Sequence, residues 1–239
     1  MQLYQRRSPI GLVADEIDVE TGQWVSTASH VGGAIDSYYE YLLKCAVLFN
    51  DAQCRTMYDD SIASVNRYLA DDTLWYGEAD MNTGKRTLTQ FGALHAFLPG
   101  VLALGGDMTR ARQLQDSCLR MWNLHGIEPE VLDYNAMKVV EAGYPLRPEI
   151  IESAYVLYSL TGEDRYREMG RTFFESLRKY CRTEEGYTNL KNVVTKEQAD
   201  LMPSYFFAET MKYLYLLFSD GALDFRKVVF TTEAHPLRR

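Results

Sequence analysis

Residues 144–153 read YPLRPEIIES and mark the start of a helix more sharply than any other part of the chain. Proline is well tolerated at the first helical position, because its missing N–H would have no partner there, and we place Pro148 at that position. Apolar residues at helical spacing then continue to about residue 160. The stretch predicts a helix that begins at Pro148 and carries Glu149 and Glu152 in its first turn.

Two carboxylates and one arginine meet at this helix start. Glu149 would lie where free backbone N–H groups and the helix dipole favour an ionised carboxylate. Glu152 follows three residues later, on the same helix face. With Arg147 beside them, these residues suit a general base or a cation site. The plainer alternative is that a glutamate in a first turn only stabilises the helix end.

Helical periodicity extends from this segment in both directions along the chain. Ser37 and Glu40 have the spacing of a capping box, with Ser37 at the N-cap and Glu40 at position N3. Turn-rich linkers separate the helices, including a hairpin over residues 73–89, and a short strand over residues 228–230 precedes the C-terminus. The predicted helices span residues 38–48, 54–69, 91–104, 109–124, 148–160, 164–180 and 204–218.

This alternation of helix pairs and linkers predicts the fold class. We expect an all-α toroid of paired helices, with short β-hairpin elements in the loops. The linkers that carry clustered carboxylates would then build a site at one end of the toroid. No Gly/Ser-rich linker divides the chain, so we treat residues 1–239 as one domain.

The charge balance excludes some classes of partner. The 239 residues include 25 Lys+Arg and 33 Asp+Glu, which gives a formal net charge of −8. Binding to nucleic acids or anionic membrane surfaces depends on Lys and Arg, so this composition argues against both. Surplus carboxylates suit a metal cation or a neutral substrate instead. No apolar run approaches the roughly 20 residues that span a bilayer, and no signal peptide is visible at the start.

The four cysteines do not have the spacing of a metal site. Cys45, Cys54, Cys118 and Cys181 lie far apart and form no CxxC pair. They could form up to two disulfides or none. Scattered buried thiols are the favoured interpretation.

Three further segments carry residues that could do chemistry. Asp36 follows Gly32 and Gly33, where the backbone can approach a ligand closely, although Asp36 could also cap the next helix. Glu209 lies in an aromatic helix, where it either pairs with a cation such as Lys212 or faces solvent.

The C-terminal tail groups hydroxyls, a carboxylate and an imidazole over residues 231–236, TTEAHP. The hydroxyl and carbonyl of a threonine are hard oxygen ligands, which suit Ca²⁺. A lone His235 does not make a zinc site, and we expect it to be a surface or hydrogen-bonded histidine.

Four segments stand in order along the chain and together identify a family. They are residues 33–44, GAIDSYYEYLLK; 146–153, LRPEIIES; 208–218, AETMKYLYLLF; and 230–237, FTTEAHPL. The set resembles the class I α-1,2-mannosidases, glycoside hydrolase family 47. The opening, residues 12–24, is most similar to the branch of ER degradation-enhancing α-mannosidase-like proteins.

The resemblance implies an (α/α)7 barrel, plugged by a terminal β-hairpin, with one Ca²⁺ at its floor. The implied reaction is hydrolysis of terminal α-1,2-linked mannose from high-mannose N-glycans, with inversion. Thr232 would bind Ca²⁺ directly through its hydroxyl and carbonyl. The waters around the ion would be oriented by the carboxylates that match the family pattern, which are Glu149, Glu152, Glu209 and Glu233.

The resemblance also implies catalytic and sugar-binding roles. Glu149 matches the residue usually taken as the general base, and Asp36 matches a second catalytic carboxylate. Tyr205 falls where the family has an aromatic residue near the sugar. The implied substrate-binding set is completed by Arg147, Glu152, Glu209 and Glu233.

The chain departs from the family pattern in three ways. It matches only the C-terminal portion of the family domain, and the N-terminal half would carry about three helix hairpins and the usual general acid. Ala96 stands where processing enzymes have a cysteine, so Cys118 lacks its family disulfide partner. Ala34 replaces an arginine that shapes linkage choice. The last two departures point to the degradation-enhancing branch or to a bacterial relative.

The resemblance implies partners and a compartment as well. The partners would be a high-mannose oligosaccharide or glycoprotein and the N-terminal half-domain. The compartment would be the ER lumen or secretory pathway, or the periplasm or exterior for a bacterial relative. Two other function classes stay open: a glycan-binding pseudoenzyme, and a helical scaffold without a ligand.

Overall fold

A computed structural model describes residues 1–219 and 221–239 of the chain. The helices of this part pack as consecutive pairs, α2 with α3, α4 with α5, and α6 with α7. Contacts from α2 to α4, from α4 to α6 and from α6 to α8 form a continuous inner row. The helices are α1 (Gln2–Gln5), α2 (Asp36–Phe49), α3 (Ala52–Tyr68), α4 (Leu98–Gly105), α5 (Met108–His125), α6 (Glu149–Thr161), α7 (Asp164–Tyr180) and α8 (Met211–Phe218).

Short antiparallel strands occupy the connections between helix pairs. They form sheets in the orders β1-β2-β3, β4-β5-β6, β7-β8 and β9-β10, and β9 contacts α2. The strands are β1 (Ala28–Ser29), β2 (Glu78–Asp80), β3 (Arg86–Leu88), β4 (Gln90–Gly92), β5 (Val131–Asp133), β6 (Lys138–Glu141), β7 (Leu190–Asn192), β8 (Glu197–Gln198), β9 (Val228–Phe230) and β10 (Pro236–Arg238). A π-helical turn, Phe206–Thr210, leads directly into α8.

Capping residues set the ends of several helices. Asp51 accepts a hydrogen bond from the Cys54 N–H at the start of α3, at 2.8 Å, and so satisfies a donor that has no partner within the helix. At the other end, α5 stops at Gly126 and α6 at Gly162, with φ of 73° and 69°. Glycine adopts this left-handed conformation without the Cβ strain of other residues, so both helices end sharply there.

The inner helices α4 and α6 cross closely. Gly100 donates its backbone N–H to the Ser153 hydroxyl at 3.0 Å, and that hydroxyl also bonds the Ala96 carbonyl at 2.5 Å. A Cβ on Gly100 would lie 3.3 Å from the Ser153 Oγ, a tight contact that would push the two helices slightly apart. The close crossing brings the N-terminal ends of two inner helices together.

One type of turn recurs in the connections. Asp18, Asp80, Asp133 and Asn192 each use the side-chain Oδ1 to accept backbone N–H groups two and three residues later. Such Asx turns close tight hairpins locally. The chain therefore repeats a unit of two helices followed by a capped hairpin.

The structure confirms the all-α fold class with short hairpins in the loops, and corrects several local predictions. The capping box is wrong, because Ile35 is the N-cap residue, Asp36 begins α2 and Glu40 is buried. The helix predicted from residue 91 is wrong at its start, since Phe91 and Gly92 pair with β5; a 3₁₀ turn, Ala93–Phe97, follows and leads into α4. Pro148 is the N-cap of α6 rather than its first residue.

The cysteines are not all free thiols, as the favoured interpretation from the sequence had them. Cys45 and Cys54 form a disulfide that joins α2 to α3. The two helices are antiparallel and their connection is short, so the two Cα atoms lie 6.0 Å apart, within the usual range for a disulfide. Cys118 and Cys181 are free and buried, as expected for structural thiols.

Candidate active site

A small pocket opens at the end of the inner row where each inner helix begins. The first turn of α2, the 3₁₀ turn before α4, the first turn of α6, the π-turn before α8 and the C-terminal hairpin all reach it. Helix N-termini carry free N–H groups and partial positive charge, so carboxylates are favoured there. The pocket is lined by Asp36, Glu40, Leu94, Phe97, Glu149, Glu152, Glu209 and Thr232.

Asp36 is presented by a constrained approach to α2. Its backbone N–H donates to the Gly32 carbonyl at 2.9 Å, and its Oδ1 accepts from the Ser37 N–H at 2.7 Å. Ala34 has a φ of 75°, in the left-handed region that residues other than glycine rarely adopt. Burial raises the pKa of Asp36 above its ordinary value. A half-buried aspartate of this kind can hold a proton at the pocket wall.

Glu149 is the first residue of α6. Its Oε2 is buried and has no hydrogen-bond partner among the described residues. Burial raises the pKa of Glu149 to about 8, and the charges of Glu152 and Glu209 act in the same direction. A carboxylate that titrates near neutral pH inside a pocket is suited to general acid–base chemistry.

Glu152 belongs to a buried ionic network below the pocket. The Lys44 ammonium pairs with Glu40 on the same helix and lies 3.8 Å from the Glu152 Oε1. The Tyr213 hydroxyl donates to the same Oε1 at 3.2 Å. Burial raises the pKa of Glu152 to about 8. One buried cation therefore faces two carboxylates at the floor of the pocket.

Glu209 reaches the pocket because the chain forms a π-turn before α8. Thr210 fixes this turn by donating its hydroxyl to the Leu146 carbonyl at 2.8 Å. The pKa of Glu209 is raised to about 7, mainly by burial and to a smaller extent by the negative charge of Glu233. A π-turn adds one residue to the helical ladder and changes which side chain faces inward, as often occurs at functional sites.

The C-terminal hairpin places Thr232 at the pocket wall. The turn is closed by hydrogen bonds from the Thr231 N–H to the His235 carbonyl, at 2.9 Å, and from the Ala234 N–H to the Thr231 carbonyl, at 3.0 Å. Lys212 of α8 donates to the Ala234 carbonyl at 2.9 Å. These bonds hold an exposed threonine against a group of acidic side chains.

Of the eight residues proposed from the sequence, the structure brings five to the pocket wall: Asp36, Glu149, Glu152, Glu209 and Thr232. The other three lie beside the pocket. The Arg147 guanidinium pairs with Glu130, with its Nε 3.2 Å from a carboxylate oxygen. The Tyr205 hydroxyl donates to the Pro145 carbonyl at 2.6 Å, and the Arg147 guanidinium lies 5.9 Å from the Tyr205 ring centroid. Glu233 has a side chain that is 73% exposed.

Several residues of the site are not predicted by the sequence patterns. The capping rule assigns Glu40 to a helix start, and Lys44 and Tyr213 look like ordinary helix residues. Asp36, Glu40 and Lys44 recur at four-residue spacing, which places them on one helix face, and this spacing is the signal that could have found them. Glu128 gives no signal, yet it is fully buried with neither carboxylate oxygen hydrogen-bonded in the described chain.

The residues present fit a calcium ion held largely through water. Within residues 1–219 and 221–239, no three His, Cys, Asp or Glu side chains lie close enough to hold a metal directly. Thr232 instead offers neutral oxygen atoms, and several ionisable carboxylates line the same pocket. Hard oxygen donors with a surplus of negative charge are the donor set that Ca²⁺ prefers. The unpartnered Oε2 of Glu149 is free to accept a bond from a bound water.

Sequence comparisons find relatives along the whole chain. The sequence pattern of glycosyl hydrolase family 47 matches residues 1–239. Alpha-mannosidase I MNS5 of Arabidopsis thaliana is 37% identical over 239 residues, covering 99% of this chain and 42% of that protein. Human ER degradation-enhancing alpha-mannosidase-like protein 2 is 36% identical over 259 residues, covering 99% of this chain and 45% of its own length.

The fold agrees with a solved structure. An α-1,2-mannosidase from Trichoderma reesei superposes with a TM-score of 0.81 at 24% identity, covering 93% of this chain and 55% of that chain. The described residues therefore have the fold of part of an (α/α)7 barrel. No helix in the described part of the chain is both long and apolar enough to cross a membrane. The chain spans less than half the length of these curated relatives, and it belongs to glycosyl hydrolase family 47.

Proposed function

We propose that this chain forms the C-terminal part of a calcium-dependent glycosidase that removes terminal α-1,2-linked mannose from high-mannose N-glycans with inversion. The observation that carries the proposal is the convergence of Asp36, Glu149, Glu152, Glu209 and Thr232 at one pocket. Family membership and the names of the relatives support mannose as the sugar.

We assign the base to Glu149. Inverting hydrolysis needs one carboxylate that removes a proton from the attacking water and one acid that protonates the leaving oxygen. Glu149 titrates near neutral pH, and its Oε2 is free to accept a proton from water. Asp36 lines the same pocket from α2, with a raised pKa that suits a proton donor.

Thr232 is the direct ligand in our proposal, and Glu149, Glu152, Glu209 and Glu233 orient the water around the ion. When bound, Ca²⁺ supplies positive charge that holds the nearby carboxylates ionised and orders water in the pocket. Binding to the native state alone stabilises it by RT ln(1 + [L]/Kd), about 2.7 kcal/mol at a hundredfold excess over Kd.

Melting curves test the calcium site. The wild type should melt at a higher temperature in Ca²⁺ than in EGTA, and Thr232→Val should remove most of that difference while keeping the shape of the side chain. Thr231→Val is the comparison variant: the Thr231 hydroxyl accepts a hydrogen bond from the His235 N–H at 3.1 Å, so this change loosens the hairpin turn without removing the proposed ligand. A wild-type curve that responds neither to EGTA nor to Ca²⁺ would contradict the calcium assignment.

In this proposal the activity also requires an N-terminal half-domain. The chain covers only 42% and 45% of the length of two relatives, so a large part of each relative has no counterpart in it. We expect the 239-residue chain alone to hydrolyse α-1,2-mannobiose weakly, and to gain activity when a matching N-terminal half is co-produced. Full turnover by the purified chain alone would show that the partner is unnecessary. Binding of the disaccharide without any mannose release by the assembled pair would favour a glycan-binding pseudoenzyme.

The stereochemistry is tested in the same assay. Early NMR spectra of the assembled enzyme should show β-mannose before mutarotation, because water attacks the face opposite the leaving group. Appearance of α-mannose first would contradict the inverting assignment.

We place this activity in the ER lumen or secretory pathway, or in the periplasm for a bacterial protein. The Cys45–Cys54 disulfide supports these oxidising compartments, because disulfides are rare in reducing ones.

A further inference from the structure

The backbone of Thr232 is tied to the inner helix row by a hydrogen bond from outside its own hairpin. The Thr232 N–H donates to the hydroxyl oxygen of Tyr41 on α2, at 3.2 Å. The two residues are 191 positions apart in sequence. The bond therefore joins the C-terminal hairpin to the helix that carries Asp36 and Glu40.

Tyr41 lies in the first half of α2. It follows Glu40, which lines the pocket, and lies five residues after Asp36 on the same helix. Its side chain is 43% exposed, whereas Tyr39 on the same helix is 1% exposed and belongs to the core. The ring of Tyr41 contributes less to core packing than Tyr39, and the hydroxyl makes the contact that reaches the hairpin.

We infer that Tyr41 is a positioning residue, whose hydroxyl sets the orientation of Thr232 for calcium binding. This inference rests on the proposed function, in which Thr232 is the direct ligand. Thr232 is exposed, so core packing does little to orient it. The Tyr41 hydroxyl holds the Thr232 N–H on one side, and Lys212 holds the Ala234 carbonyl on the other, so the backbone around Thr232, from which both ligand oxygens extend, is restrained at two points.

Groups that orient a metal ligand change affinity without touching the ion. Substituting such partners typically lowers metal affinity about 10–100-fold. We expect Tyr41→Phe to weaken Ca²⁺ binding by a factor in this range, because the ring remains and only the acceptor oxygen is lost. The melting temperature of the Ca²⁺-free protein should change little, since the hydroxyl is at the surface.

Tyr38→Phe is the matched control. The Tyr38 hydroxyl lies 3.2 Å from the Ser61 Oγ on the neighbouring helix, away from the hairpin. Both variants remove one phenolic oxygen from α2. If losing such an oxygen weakens Ca²⁺ binding in a non-specific way, both variants will bind Ca²⁺ more weakly. The control should alter the melting temperature of the Ca²⁺-free protein and leave Ca²⁺ affinity within about twofold of the wild type.

Isothermal titration of the purified chain with Ca²⁺ measures the affinities, and amide hydrogen exchange at Thr232 reports the bond itself. Weaker Ca²⁺ binding and faster exchange at Thr232 in Tyr41→Phe alone would support the inference. Wild-type affinity in Tyr41→Phe, or equal losses in both variants, would overturn it. If the wild type binds no Ca²⁺, the proposed calcium site fails, and the role assigned to Tyr41 falls with it.

Discussion

The inner helices line two cavities of opposite character. At their N-terminal ends lies the acidic pocket described above, which we call the site pocket. Towards the other end lies a second space, the apolar cavity, whose lining is mostly hydrocarbon: Leu43, Val47, Leu104, Val156, Leu160, Phe225, Val228, Val229 and Phe230. Helices α2 and α6 contribute residues to both linings. The change from acidic to apolar lining therefore occurs along the length of each helix.

A polar layer separates the two spaces. Glu152 borders both of them, and Lys44 and Tyr213 border the apolar cavity while contacting Glu152 from below. Negative side chains are favoured near helix N-termini, and this advantage disappears within about one turn. The comparison shows that the acidic side chains cluster at the end where the inner helices have their N-termini. Between the two cavities, Lys44 compensates the negative charge of the buried carboxylates.

The largest expected effect comes from removing the charge of one site-pocket carboxylate. In the chain assembled with a matching N-terminal half, Glu149→Gln should lower kcat by about 10²–10⁴-fold. The amide fills the same volume, so affinity for α-1,2-mannobiose should change far less. Steady-state kinetics and calorimetric binding measure the two quantities. A kcat within about threefold of the wild type, far short of the loss expected for a general base, would remove Glu149 from that role.

The next largest effect should follow from breaking the polar layer. Lys44→Met leaves Glu40 buried without its cation, and the side chain of Lys44 is only 8% exposed. Breaking a buried ion pair by removing one partner costs about 3–5 kcal/mol, because the remaining charge has no compensation. Urea unfolding at pH 7 should show a loss of this size.

The matched control for Lys44→Met is Arg171→Met. Arg171 pairs with Glu168 at 3.3 Å, but these side chains are 60% and 65% exposed. Exposed ion pairs contribute about 0–1 kcal/mol, so the control should stay within that range. Equal losses in the two variants would show that the layer between the cavities has no special electrostatic role.

Much of this arrangement could be predicted from the sequence. Helix-start signals point to Asp36 and Glu149, whereas Glu209 is noticed in an aromatic helix and Thr232 in the C-terminal tail. Their convergence does not follow from periodicity alone, because it depends on several helix starts meeting at one end of the inner row. The resemblance to a family implies this convergence, and in the structure Asp36, Glu149, Glu209 and Thr232 line one pocket.

The missed residues have a common physical reason. Local rules assign Glu40 to a cap, but Glu40 is buried, and its partner Lys44 faces Glu152 of α6. Phe91 looks helical by spacing, yet its backbone pairs with β5, a partner about 40 residues away. The Cys45–Cys54 disulfide likewise depends on how α2 and α3 lie side by side. Each case requires a contact that is distant in sequence or fixed by helix packing.

The site pocket should also make stability depend on pH. Folding raises the pKa of Glu149 and of Glu152 to about 8 from an ordinary value of 4.5. Carboxyls with raised pKa bind more protons in the folded state, so the free energy of unfolding falls as pH rises towards 8. One such group contributes about 1.4 kcal/mol per pH unit within its window, and coupling between the two reduces their sum.

The measurement belongs between pH 6.5 and 8. Below that range His95 opposes the trend, because burial lowers its pKa to about 3 and the unfolded imidazole then takes up protons. Urea unfolding of the Ca²⁺-free chain should show decreasing stability across the window, and Glu149→Gln should make the slope shallower. Stability that rises with pH would contradict the assignment of raised pKa values to the pocket.

The smallest expected effect lies in the apolar cavity. Val47→Ile adds one methylene from the α2 face that borders this cavity, where space is available. Burying a methylene contributes about 0.8 kcal/mol, and both residues are β-branched, so helix propensity changes little. The variant should raise the free energy of unfolding by up to that amount and leave the Ca²⁺-dependent shift in melting temperature unchanged. If Val47→Ile instead alters the Ca²⁺ response, the two cavities are mechanically coupled through Lys44 and Glu152, and the polar layer does not isolate the site.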